Sequence, residues 1–150
     1  MTHPTQALHI PDTQSERDER HLVIQRVGVK DVRYPLRLRV AGAEQTTAAL
    51  WSLDVALPAE KKGTHMSRFV AWLDGLDAPL DAALLRDKLG AMLTLLNASE
   101  GRIESRFSFF LRKRAPVSGV QSLLDYQGRF IAETRAGKTT VWSEVAVPVK

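Results

Sequence analysis

The sequence predicts an α+β fold in which an antiparallel sheet carries two helices packed on one face. Several segments have apolar residues at every second position, and two consecutive segments in the middle of the chain have a helical period. No strand is followed by a single crossover helix, so a doubly wound parallel sheet is disfavoured. The predicted order of elements is β-β-α-α-β-β-β.

Length and composition are typical of one soluble globular domain. The chain has 150 residues, 21 basic and 17 acidic, and 44% of its residues are hydrophobic. It has no apolar run of about 18 residues, and its N-terminal segment lacks the apolar middle of a secretory signal, so we expect a cytoplasmic protein without a membrane segment. The absence of cysteine excludes disulfides, cysteine-ligated zinc and thiol nucleophiles within these residues.

The charge distribution favours small anionic partners over nucleic acid. The net charge of +4 makes phosphorylated metabolites and nucleotides plausible ligands. The basic residues are scattered, no long arginine-rich arm is present, and the signal for a basic stripe with interleaved aromatic residues is weak, so nucleic-acid binding is not expected. The Arg112-Lys113-Arg114 triplet is most simply a solvated end of a strand.

The first elements follow a polar N-terminal segment. Residues 1–21 show neither the two-residue period of a strand nor the period of a helix, and they are predicted to form a flexible tail. The histidines there match no metal-ligand spacing: His3, His9 and His21. The domain itself is predicted to cover residues 22–150. In its first part Gly28 and Pro35 interrupt an apolar run, which predicts an extended segment and a turn.

A hairpin and two helices come next. Residues 36–40 alternate, Ala41-Gly42-Ala43 can turn the chain, and residues 46–58 form a strand with one buried face: Thr47, Ala49, Trp51, Leu53, Val55 and Leu57. A short helix is predicted from Ser67 to about Gly75, with Phe69, Val70, Trp72 and Leu73 clustered on one side. The second helix is capped by Asp81 and buries Leu85, Leu89, Met92, Leu93 and Leu96. Close packing against the sheet would explain Gly90 inside it.

Three further strands complete the prediction. Ile103, Ser105, Phe107, Phe109 and Leu111 share a face of the first, and the second, over residues 120–133, is expected to have a bulge at Gly128. Residues 138–149 remain strand-like and apolar to the end. We therefore expect this strand to pair with another subunit, or the chain to belong to a longer protein.

The segment KKGTHMSRF, residues 61–69, contains the strongest candidates for chemistry. Free N–H groups and the helix dipole favour an anion at a helix N-terminus. Lys62 and Arg68 would supply charge, Thr64 and Ser67 hydroxyl contacts, and His65 a proton donor or acceptor. The alternative is structural: Thr64 or Ser67 only caps the helix, the lysines are solvated, and His65 is a hydrogen-bonded turn residue.

Other polar residues give weaker signals. Glu100, Glu104 and Glu144 have no visible pairing for acid–base work. Asp54 lies on a strand beside hydrophobic residues, where the alternatives are a site residue and, more often, a residue that faces solvent. The sequence has neither a Gly-x-Ser-x-Gly elbow nor a GxGxxG loop.

The chain resembles the type IB GTP cyclohydrolase I family. The resemblance is carried by GVKDVRYP at residues 28–35, KGTHMSRFV at 62–70, ESRFSFFLRKRAPVSG at 104–119, LLDY at 123–126 and WSEVAVPV at 142–149. It implies a tunnelling fold, with two such modules in one chain of nearly twice this length and assembly into homotetramers. The implied reaction converts GTP to 7,8-dihydroneopterin triphosphate and formate, with zinc or manganese activating water for attack at the purine C8 carbon.

The resemblance also implies what this chain lacks. The family's metal-binding cysteine and its further histidine and glutamate ligands follow the last strand, beyond Lys150, so no ligand is assigned here. We expect an N-terminal module that binds no metal and is inactive alone. Lys62, His65, Ser67 and Arg68 are the candidates for contacts to the substrate triphosphate.

Two alternatives remain at this point. One is a non-catalytic interaction module of tunnelling fold that assembles through its sheet edges. The other is a related enzyme acting on a pterin or a deazapurine, such as the nitrile reductase of queuosine synthesis, against which the KGTHMSRF segment argues.

Overall fold

The computed structural model describes residues 26–57 and 66–149, and the elements follow the predicted order. The strands and helices are β1 (Val27–Val40), β2 (Ala43–Val55), α1 (Ser67–Asp74), α2 (Ala82–Leu95), β3 (Gly101–Arg114), β4 (Gln121–Arg135) and β5 (Lys138–Ala146). The strands form one antiparallel sheet in the order β1-β2-β3-β4-β5, and both helices pack on one face. The α+β prediction is confirmed. The predicted tail, residues 1–21, lies outside the described residues.

The N-terminal part of β1 corrects the sequence prediction. Residues 27–35 are not an extended segment ending in a turn, because they continue into a 14-residue strand. Pro35 lies opposite Ala48 within the ladder to β2. A proline is tolerated there because β1 is an edge strand. It pairs with β2 alone, so the missing N–H group cannot disrupt hydrogen bonding to a second neighbouring strand.

A bulge in β1 decides which of its side chains face the helices. Val29 pairs with Leu53 but Val32 pairs with Trp51, so Lys30 and Asp31 together oppose one residue. Asp31 has a φ of 54°. The extra residue shifts the alternation by one position. As a result the later apolar residues of β1 face the helices, and Leu36 and Leu38 are buried in the core.

Two-residue turns close the β1–β2 and β4–β5 hairpins. Ala41 and Gly42 have φ values of 49° and 80°, and Ala136 and Gly137 repeat the pattern with 50° and 75°. Positive φ at both positions is the geometry whose twist matches paired strands, and glycine adopts it at no steric cost. The predicted turn at Ala41-Gly42 is confirmed.

The core lies between the sheet and the helices. Trp51 from β2 meets Trp72 from α1 edge-to-face, with ring centroids 5.9 Å apart. Trp72 Nε1 also donates a hydrogen bond of 2.8 Å to the Lys88 carbonyl of α2, so one side chain joins both helices to the sheet. The residues buried from the helices are Phe69, Trp72, Leu73, Leu85, Leu89, Met92 and Leu96.

Details of the helices confirm some predictions and correct others. The Asp81 carboxylate accepts a hydrogen bond of 2.8 Å from the Leu84 N–H, so the predicted cap is confirmed. Val70 is 50% exposed and does not belong to the buried side of α1. Gly90 is exposed, and a Cβ placed there would meet nothing within 4 Å, so close packing does not explain this glycine.

Gly128 is a position of close approach and not a bulge. The β3–β4 ladder is regular along its whole length, and Gly128 lies opposite Phe107. A Cβ on Gly128 would lie 2.5 Å from the Phe107 ring, which covers the backbone there. The same ring is 5.3 Å from that of Phe130, so the missing side chain makes room for an aromatic contact across the strands.

The β3–β4 hairpin extends beyond its neighbour β2. β2 pairs with β3 only from Ala49 opposite Phe107 to Val55 opposite Gly101, whereas β3 and β4 remain paired as far as Arg114 and Gln121. The projecting part has exposed apolar side chains: Phe110, Val117, Val120, Leu123 and Leu124. The basic triplet at residues 112–114 is exposed at the end of β3, where the sequence predicts it.

Candidate functional site

The start of α1 is the part of the candidate segment that the structure describes. Ser67 is the first residue of the helix and is exposed. Met66 occupies the N-cap position with helical dihedral angles, and no side chain of the described residues caps the helix. The alternative in which Ser67 is the cap is therefore wrong. Lys62, Thr64 and His65 lie outside the described residues.

Arg68 connects the beginning of α1 to the end of α2. Its Nη1 donates a hydrogen bond of 3.2 Å to the carbonyl of Leu95, the last residue of α2. Carbonyl groups at a helix C-terminus carry partial negative charge, so a guanidinium is favourable there. A guanidinium has five N–H donors, and this contact uses one of them. Arg68 is therefore held in place by one of its donors, as far as its contacts with residues 26–57 and 66–149 are concerned.

β2 ends beside the start of β3, where Val55 pairs with Gly101. The Ala56 N–H donates to the Glu100 carbonyl at 2.9 Å, which closes this end of β2 against β3. The Glu100 side chain accepts a hydrogen bond of 2.7 Å from the Ala136 N–H in the β4–β5 turn. Glu100, weighed above as an acid–base candidate, thus has a structural contact that fixes this end of the sheet.

The face of the sheet opposite α1 and α2, called here the helix-free face because no helix of the described residues packs on it, is crossed by ion pairs that sequence reasoning did not find. The Glu104 carboxylate is 3.0 Å from Arg102, 3.6 Å from Arg106 and 3.9 Å from Arg129. Its side chain is only 16% exposed. The alternation of Arg102, Glu104 and Arg106 along one strand was the available signal, because residues two apart share a face.

The other candidate carboxylates are also engaged by arginines. Glu144 binds Arg129 through both oxygens, at 2.7 and 2.6 Å from Nη2, and this hydrogen bonding raises the pKa of Arg129. Asp54 accepts a hydrogen bond of 2.5 Å from Arg26, which raises the pKa of that arginine. Asp54 lies half-buried on the face of the sheet opposite the helices, where this ion pair engages it. Each of these carboxylates thus stabilises an ion pair in this structure.

Comparison with known proteins identifies the family of this chain. A family model described as type I GTP cyclohydrolase folE2 matches residues 10–150. The chain belongs to the type I GTP cyclohydrolase FolE2 family. Its α+β sheet with two helices on one face is consistent with the tunnelling fold that the resemblance implies.

Several curated proteins of the FolE2 family are similar to this chain. A protein named GTP cyclohydrolase FolE2 from Methylibium petroleiphilum is 73% identical over 146 residues, which cover 95% of this chain and 49% of that protein. A protein of the same name from Paraburkholderia xenovorans is 54% identical over 150 residues, or 99% of this chain and 56% of that protein. The chain spans about half the length of the curated relatives it matches.

The described residues do not fit the metal ion that the resemblance implies. Across residues 26–57 and 66–149 no three histidine, cysteine, aspartate or glutamate side chains are grouped so that they could hold a metal. Zinc and manganese sites need several such ligands around one point. No step of a reaction is therefore assigned to a metal held by this part of the chain.

Within residues 26–57 and 66–149, no helix has both the length and the apolar character needed to cross a membrane.

Proposed function

We propose that this chain forms part of a type IB GTP cyclohydrolase I, which hydrolyses GTP to 7,8-dihydroneopterin triphosphate and formate in tetrahydrofolate biosynthesis. Overall, a water molecule is consumed and the purine C8 carbon leaves as formate. The observation that carries this proposal is the 73% identity, over almost the whole chain, to a protein named GTP cyclohydrolase FolE2. The KGTHMSRF segment supports the narrower assignment to type IB.

The same proposal assigns the substrate triphosphate to the start of α1. Ser67 and Arg68 lie at a helix end without a side-chain cap from the described residues and without an acidic residue in its first turn. Both features favour a polyanion, because the free N–H groups and the positive end of the dipole point toward it. Lys62 and His65 precede this position in the sequence and complete the set of proposed contacts.

We further propose that the remaining active-site residues belong to the complete protein and lie outside these 150 residues. The support is that the matched relatives are about twice as long as this chain. On this proposal the complete protein binds zinc or manganese and is a cytoplasmic homotetramer, and the isolated chain hydrolyses no GTP.

The test compares two proteins under identical conditions. The 150-residue chain and the complete gene product are each incubated with GTP and either zinc or manganese, and formate is measured together with the neopterin fluorescence that appears after oxidation. We expect both products from the complete protein only. A complete protein that is inactive with both metals would overturn the proposed activity, and formate release by the 150-residue chain would overturn its dependence on further residues.

A further inference from the structure

A row of arginines crosses the helix-free face of the sheet, away from the helix end to which the substrate is assigned. Arg33 pairs with Leu50, Leu50 with Arg106, Arg106 with Arg129, and Arg129 with Glu144. Directly paired side chains on one face lie about 5 Å apart at Cβ. Side chains from all five strands therefore form one line, and three of them are guanidinium groups.

This arrangement costs stability unless the charges are compensated. Like charges directly opposite each other destabilise a strand pair, and Arg106 opposes Arg129. Arg106 is compensated by Asp31 at 2.6 Å, and Arg129 by Glu144. Arg33 differs from both, because it forms no ion pair with any carboxylate of residues 26–57 and 66–149. It is an exposed cation whose guanidinium forms no hydrogen bond with the part of the chain that the structure describes.

The position of Arg33 depends on the bulge in β1. With a regular ladder, the alternation would place Arg33 on the face that packs against the helices. The extra residue at Lys30–Asp31 turns it to the charged face instead. Bulges of this kind commonly re-aim a side chain beside a binding or active site. The bulge belongs to the segment GVKDVRYP, to which the proposed function assigns no role.

The arginine row borders a cavity of about 460 Å³. Among the described residues, Arg33, Arg106 and Arg129 line it together with one acid, Glu144, so positive side chains outnumber negative ones. Ser108 and Gln127 also line it and are joined by a hydrogen bond of 2.9 Å from the Gln127 amide. A cavity of this size accommodates a small ligand, and the lining has cationic, hydroxyl and amide groups.

We propose that this cavity is a binding site for a small phosphorylated anion, in which Arg33 provides the uncompensated charge. The planar guanidinium fork matches two phosphate oxygens at once. An anion between the three arginines also weakens the repulsion between Arg106 and Arg129 that remains beside their ion pairs. The site lies on the opposite face of the sheet from α1, and the proposal does not depend on the cyclohydrolase activity.

The experiment titrates pyrophosphate into the 150-residue chain by isothermal calorimetry. We expect binding that is about tenfold weaker in Arg33→Gln, because one charged hydrogen-bonding group is lost. Arg39→Gln is the matched control, since Arg39 lies on the same strand and the same face but does not line the cavity. It should bind like the wild type. Circular dichroism verifies that each variant is folded.

A second variant changes the affinity in the opposite direction. Glu144→Gln removes the acid found among the described lining residues and releases Arg129, so pyrophosphate should bind several-fold more tightly. GTP, which has the same phosphate chemistry, distinguishes a free anion from a nucleotide tail: equal affinities mean that the phosphates alone are bound, and tighter GTP binding means that the nucleoside also contributes.

Three outcomes would overturn the proposal. The first is a wild type that binds neither pyrophosphate nor GTP. The second is equal affinity in Arg33→Gln and Arg39→Gln. The third is binding that is retained in Arg33→Gln but lost in Arg68→Gln, because that anion would then bind at the start of α1.

Discussion

The side-chain amide of Gln45 binds both backbone polar groups of Phe110. Nε2 of Gln45 donates to the Phe110 carbonyl at 2.5 Å, and its Oε1 accepts from the Phe110 N–H at 3.0 Å. The ladder between β2 and β3 has already ended at Ala49 and Phe107. One side chain therefore replaces the neighbouring strand at the base of the projecting β3–β4 hairpin.

We expect Gln45→Ala to loosen this hairpin. Two backbone groups lose their partner, which should lower the free energy of unfolding by about 1–2 kcal/mol. Amide exchange at Phe110 should become faster while exchange in the Ala49–Val55 ladder is unchanged. Thr46→Ala is the control, since Thr46 is the exposed neighbour of Gln45. Equal exchange rates at Phe110 in the two variants would contradict the proposed role of the Gln45 side chain in holding the hairpin.

Alanine substitutions at two glycines should have opposite effects. Gly128→Ala forces the new Cβ against the Phe107 ring and should destabilise the protein by about 1–3 kcal/mol. The Cβ added by Gly90→Ala has no other atom within 4 Å, and this substitution should stabilise α2 by about 0.5–1 kcal/mol. Urea unfolding measures both. Combining Gly128→Ala with Phe107→Leu should restore part of the loss, and no recovery would show that the ring is not the obstacle.

Arg68 and Lys62 should affect substrate binding more than folding. In the complete protein we expect Lys62→Ala and Arg68→Ala to raise the KM for GTP about tenfold. The melting temperature should change little, because the described contact of Arg68 is a single exposed hydrogen bond to Leu95. Steady-state kinetics and thermal unfolding separate the two effects. An unchanged KM in both variants would remove these residues from the triphosphate site.

The Arg37–Glu44 pair should give stability a defined pH dependence. Arg37 Nε donates a hydrogen bond of 2.5 Å to Glu44, which lowers the pKa of that carboxyl below its ordinary value. A carboxyl with a lowered pKa in the folded state stabilises the protein above its unfolded-state pKa, and the stabilisation is lost as the pH falls through the folded-state pKa. Glu44→Gln should therefore be less stable than wild type near pH 7, and the difference should vanish in acid.

An Arg37→Gln background provides the control for this pH effect. Without its partner, the effect of Glu44→Gln on stability should lose most of its pH dependence. Urea unfolding between pH 3 and pH 7 measures all four proteins. A difference between wild type and Glu44→Gln that is the same at both ends of this range would contradict the pair.

The sequence predicts the parts of this fold that depend on a regular period. Trp51, Leu53 and Val55 alternate along β2, and Leu85, Leu89 and Met92 recur on one side of α2, so both elements and their buried faces are predictable. The bulge at Lys30–Asp31 is not, because one extra residue leaves no distinctive pattern among valines and charged residues. The bulge predicted at Gly128 is wrong because a glycine within a strand marks either a bulge or a close approach, and the sequence does not distinguish the two.

The sequence predicts the candidate site only where the site consists of residues that are adjacent in the sequence. Ser67 and Arg68 follow from a helix start that is visible in the sequence. The contact of Arg68 with Leu95 spans 27 residues, and the three arginines of the row come from three different strands, so both depend on the tertiary fold. The ion pairs of Glu144 and Asp54 were missed for the same reason.

The pairing order of the strands has a consequence for how the chain reaches this structure. Neighbours in the sheet are neighbours in sequence, and the β1–β2, β3–β4 and β4–β5 ladders close through short connections. Among the described strands, only the β2–β3 ladder, from Ala49 to Val55, joins segments separated by the two helices. Local contacts form quickly and distant ones slowly. The molecule therefore consists of two locally encoded halves, and their joining along this one ladder sets the pace of folding.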